Sequence, residues 1–142
     1  MFAQTREEVR GHFLAVWQKM AAKSPLEPIE ALLAGVIERH PEYHALLNRP
    51  DEALNADFTA DAAGVNPFLH MSLHVAIREQ LQTDRPPGVV DTYRALAEQR
   101  KLDPHAIEHR MMECLSASLA DAQRKAAAPD EAAYLECLRR TR

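Results

Sequence analysis

The stretch NPFLHMSLHVAIREQL, Asn66 to Leu81, admits a helix and little else. Asn66 can cap a helix and Pro67 suits its first position, so His70 and His74 follow one turn apart on the same rod. At about 100° per residue, Leu69, His70, Leu73, Ala76, Ile77 and Leu81 share one broad face, with His74 at its edge. The pair is therefore expected to point inward. A buried imidazole left without a partner costs roughly 1–3 kcal/mol, so a carboxylate, a backbone carbonyl, water or a metal ion must satisfy it.

The remaining chain continues in helices opened by caps and prolines. Thr5 and Glu8 stand in capping-box spacing before a helix over 5–22, whose buried stripe is expected to be Val9, His12, Phe13, Val16, Trp17 and Met20. Ser24 and Pro25 are expected to open a second helix, in which Ile29, Leu32, Leu33, Val36 and Ile37 lead on to His40. Pro41 then biases His40 away from helix and can start a short one, PEYHALLN. Residues 48–65 contain Pro50 and Gly64 and read as irregular, with at most one turn around Asp51 to Leu54. They form either a surface connection or a lid over a pocket.

The breaker cluster TDRPPG ends the central helix near Thr83. A helix over 89–101 places Val89, Tyr93, Leu96 and Ala97 on one side. Asp103 and Pro104 cap and start another, which runs to about Ala126. A last helix begins at Pro129, Asp130 and Glu131 and ends in LRRTR, where positive charge suits the carboxyl end of the dipole. Only four glycines, with many Ala, Leu, Glu and Arg, favour helix over sheet. The 142 residues are therefore expected to form one all-α domain, a compact bundle of about six helices.

Charge and hydropathy narrow the function. A net charge of −4, with cations scattered among acids, leaves no basic footprint for nucleic acid. No apolar run approaches the roughly 20 residues of a membrane span, and MFAQTREEVRGH lacks a signal-peptide core. A cytoplasmic protein is expected, with Cys114 and Cys137 reduced and serving as small hydrophobes, since neither belongs to a CxxC pair. Glu, Arg and Ala on the outer helix faces are compatible with a monomer, a homodimer or an unidentified protein partner.

The helix from Asp103 carries a second histidine pair, His105 and His109, followed one turn later by Glu113. Its apolar face includes Ile107, Met111, Met112, Leu115, Ser118, Leu119 and Ala122, with Glu108 near the middle, where a carboxylate needs a partner. Random placement of the histidines would give roughly 0.3 pairs at i, i+4. This chain has three such pairs, and Pro41 interrupts the one formed by His40 and His44. Ring nitrogens one turn apart can reach one ion at about 2.0–2.1 Å, so two helices each supplying a pair could build a zinc or non-haem iron site. The candidate ligands are His70, His74, His105 and His109, with Glu108, Glu113, His40 and His44 as further ones.

In these spacings the chain is similar to hemerythrin-like and DinB-like metal-binding bundles, which use HxxxH and HxxxE on facing helices; the ferritin-like ExxH repeat is absent. A wider resemblance rests on LEPIEALLAGVIERHPEYHALL, NPFLHMSLHVAIREQLQTDRPPG, EHRMMECL and PDEAAYLECLRR. Together these resemble the bacterial domain-of-unknown-function family 1841. That resemblance implies a small cytosolic helical protein and assigns no residue a role.

Two readings of different kinds follow. In one, the histidines hold an ion. With an open position, that ion could lower the pKa of water for hydrolysis, or an iron pair could handle oxygen, so whether the protein is an enzyme stays open. In the other, the chain is a non-enzymatic interaction module with structural histidines, His70 bonding Glu108 or a helix-end carbonyl. Haem between facing histidines is a lesser reading, because CxxCH is missing. Arg78 and Glu79 read as surface charges or as a salt bridge to a neighbouring helix.

Overall fold

A computed structural model of the chain describes residues 5–56, 58, 66–100 and 103–140. These residues are all-helical, with no strand among them. The elements are α1 Arg6–Ala22, α2 Pro28–Glu38, a 3₁₀ turn Pro41–Tyr43, α3 His44–Leu47, α4 Pro50–Asn55, α5 Pro67–Thr83, α6 Val89–Arg100, α7 Pro104–Lys125 and α8 Glu131–Arg140. The eight α-helices among the described residues exceed the expected six or so: the short helix expected after Pro41 is present as a 3₁₀ turn and α3, and Pro50 opens α4 where at most one turn was expected. Of the expected irregular stretch 48–65, residues 57 and 59–65 lie outside the described residues. No helix among the described residues is long and apolar enough to cross a membrane. The chain divides into two compact units, Met1–Val75 and Ala76–Arg142.

In the first unit, Thr5 caps α1, its hydroxyl accepting the Glu8 amide at 3.2 Å. Phe13, Leu14 and Val16 of α1 join Leu33, Ala34, Val36 and Ile37 of α2, Leu47, Ala53, and Phe68, Met71 and Val75 of α5 in one core. Burial of each large member is worth about 1.5–3 kcal/mol. His12, expected in the buried stripe, is exposed, and Arg10 is buried in its place. Helix α2 starts at Pro28 and not at Ser24 or Pro25. Glu27 and Glu30 form the capping box, and Glu27 presents its backbone in extended geometry before the proline. Asn66 caps α5, its side-chain oxygen accepting from the amides of Phe68 and Leu69 at 3.0 and 3.2 Å. Residues 71–75 of α5 are all buried, whereas Leu69 is 53% exposed. A single-face reading of this helix is thus too narrow.

In the second unit, α7 and α8 pack on each other and on α6. The Asp84 carboxylate accepts from the amides of Gly88 and Val90, which shapes the link into α6 around Gly88 at φ 99°. Asp103 caps α7 through the Ala106 amide at 3.0 Å. Val89, Leu96, Ile107, Met111, Met112, Leu115, Ala122 and Leu138 are buried. Three non-glycine residues among those described, Lys23, Asp84 and Ala126, take left-handed backbone at φ 50–55°. Lys23 closes α1 and Ala126 closes α7.

Cys114 of α7 and Cys137 of α8 form a disulfide with Cα atoms 5.8 Å apart. This corrects the expectation of two reduced thiols: the packing of α8 on α7 joins residues whose separation of 23 carries no pairing signal.

Tyr134 anchors α8 from within, 4% exposed, and donates its hydroxyl hydrogen to Gln80 at 2.6 Å. Burial pushes its phenol pKa well above the usual value, against a weaker lowering by the Gln80 bond. An unfolded tyrosine ionises near pH 10. Above that pH the unfolded state binds fewer protons than the folded one, so this group's contribution to stability, complete below pH 10, falls as pH rises. Tyr134→Phe is expected to cost about 1 kcal/mol at neutral pH and to flatten the alkaline part of a stability–pH profile measured by urea unfolding.

Candidate metal centre

In the first unit the site begins where α2 stops. Pro41 holds His40 at φ −128° and ψ 63°, outside helical geometry, and this turns the imidazole back along α2. His40 Nδ1 lies 2.8 Å from the Val36 carbonyl oxygen. A carbonyl can only accept, so Nδ1 carries the hydrogen, and in the neutral ring the lone pair is on Nε2. That is the tautomer a metal ligand requires.

The His40 ring stacks on Tyr43, with centroids 5.4 Å apart and planes within 3°. It meets His74 at 4.8 Å and His70 at 5.0 Å between centroids, and His70 and His74 are themselves 4.9 Å apart. His74 is fully buried, His40 nearly so and His70 half-buried. Burial, and secondarily the charge of Glu42, raise the Tyr43 phenol pKa, so it stays a protonated neighbour of this cluster at neutral pH.

His44, one turn on from His40 in sequence, belongs to a different environment. Its Nε2 donates to the Ile37 carbonyl at 2.9 Å and its ring rests against Trp17, with centroids 4.6 Å apart. Trp17 in turn donates to the Asn48 side chain at 2.9 Å. The structure thus brings His40 to His70 and His74, while His44 faces α1.

In the second unit, His105 and His109 occupy adjacent turns of α7, their rings edge to face at 4.3 Å and both half-buried. Glu108, 6% exposed, accepts from Arg78 Nε at 3.1 Å. Its charge is thereby met by a guanidinium that is itself partly shielded. The same carboxylate, after burial, contributes to raising the Tyr93 phenol pKa. Glu113 is exposed and lines an open cavity beside the disulfide.

In the sequence His40 is a secondary candidate because Pro41 interrupts its one-turn spacing with His44. A histidine followed by proline at a helix end was the available signal, since the proline frees the ring from the register of α2. Tyr43 and Arg10 carried no comparable signal.

A family model described as "Domain of unknown function (DUF1841)" matches residues 5–140. Searches of curated proteins and of solved structures return no match.

Proposed function

We propose, from the premise that this chain belongs to the DUF1841 family, that the protein binds one transition-metal ion, zinc or non-haem iron, through histidine side chains. The ligand set we put forward is His40, His70 and His74 of the first unit, three imidazoles whose ring centroids lie 4.8 to 5.0 Å from one another. The observation that carries the reading is His40: it is almost fully buried, its Nδ1 hydrogen is spent on Val36, and its ring packs against that of His74. Metal-binding imidazoles are commonly oriented through their second nitrogen in this way.

The pair His105 and His109 of α7, in the second unit, we leave outside the set. Glu108, Glu113 and His44 are also outside it, because Arg78 meets the first, the second is exposed and Ile37 engages the third. Neutral imidazoles suit zinc, iron, copper and nickel, and a proposed set made of nitrogen donors without carboxylate argues against calcium or magnesium. A bound ion with an open position would act as a Lewis acid and acidify water.

Protein purified without a histidine tag is expected to carry about one equivalent of zinc or iron per chain by elemental analysis, and chelation is expected to lower its melting temperature. A preparation that is metal-free and stays so after incubation with zinc and with ferrous iron would refute the reading. A second reading, an interaction module with structural histidines, draws on the bonds from His40 and His44 to carbonyls of α2. It requires the opposite result: unchanged melting with and without chelator.

A further inference from the structure

The disulfide joining α7 to α8 lies in the wall of an open cavity of about 540 Å³, shared with Glu113, Ala133, Glu136 and Arg140. Its two halves differ in access. Cys114 is 5% exposed, whereas Cys137 is only half-buried, so a small nucleophile entering the cavity meets Cys137 first. Other contacts also hold α8 in place. Tyr134 is buried and bonded to Gln80, Leu138 is fully buried, and Asp130 caps the helix through the Ala133 amide. Breaking the sulfur bond therefore leaves α8 docked, with both thiols facing each other and ready to close again.

We propose that Cys114–Cys137 is a reversible thiol-exchange site, at which a low-molecular-weight thiol forms a mixed disulfide with Cys137. In the first step the thiolate attacks Cys137 Sγ. A new sulfur–sulfur bond forms, the bond to Cys114 breaks, and Cys114 leaves as a thiolate that takes a proton from water. In the second, another thiolate attacks the small-molecule sulfur of the mixed disulfide and releases Cys137 as a thiolate, which is protonated in turn. The protein disulfide gains two electrons and two protons, and two small thiols become one small disulfide.

The test uses the full chain and reduced glutathione as the probe, with acid quenching and peptide mapping by mass spectrometry. The mixed disulfide is expected on Cys137 in at least tenfold excess over Cys114, with helical circular dichroism retained and the protein disulfide restored by oxidised glutathione. With oxidised glutathione, Cys114→Ser is expected to take up about one equivalent on Cys137, and Cys137→Ser at least tenfold less on Cys114. Equal labelling of the two cysteines overturns the proposal, as does reduction that occurs only at denaturant concentrations that unfold the chain. Should either variant lose its helical signal, the mapping on the unmodified protein decides.

Discussion

Arg10→Leu is expected to lower the unfolding free energy by about 3 kcal/mol. The side chain is 2% exposed, and its Nη1 donates to the carbonyls of Ala53, Leu54 and Ala56 at 3.1, 3.1 and 2.8 Å. Those carbonyls belong to the last turn of α4 and the residue that closes it, where a helix leaves acceptors without intrahelical donors. The guanidinium also lies over Phe58 and Phe68, 5.1 and 5.2 Å from their ring centres. Leucine keeps the apolar stem and removes both the charge-assisted bonds and the attraction to the rings. Arg10→Lys should recover less than half of the loss, since an ammonium cannot reproduce the planar fork. Urea unfolding measures the change, and amide exchange should accelerate at Ala53 to Ala56. A variant within about 0.5 kcal/mol of the parent would remove Arg10 as the clamp on α4.

His74→Ala is expected to weaken zinc or iron binding by at least a hundredfold, since losing even an outer partner of a ligand commonly costs 10–100-fold. The ring it removes is fully buried and touches those of His40 and His70. Competition with a coloured chelator gives the affinity, and Glu113→Gln, at an exposed position, should leave it unchanged. Full ion content in His74→Ala would strike that residue from the ligand set. Loss of folding is separated from loss of binding by His74→Leu, which fills similar space without a donor.

Local rules were legible where a single side chain does the work. Thr5, Asn66 and Asp103 read as caps, and each accepts from the amides that the rule names. The spacing of His70 with His74 and of His105 with His109 places each pair of rings side by side. What escaped depends on contacts between distant segments. Arg10 lies outside the apolar stripe expected for α1, and nothing in that helix announces the carbonyls at the end of α4. Ile29 and Leu69 looked buried because periodicity assigns a face without saying how far a neighbour covers it, and both are exposed. Pairing of Cys114 with Cys137 follows from the docking of α8, which no short spacing encodes.

The left-handed joints at Lys23, Asp84 and Ala126 have an evolutionary side. Each side chain there opposes its own backbone by roughly 1–2 kcal/mol relative to glycine, a debt the surrounding helices must cover. All three are exposed and remote in sequence from every histidine of the proposed set, so drift at these hinges can harden or soften the protein while its chemistry stays the same.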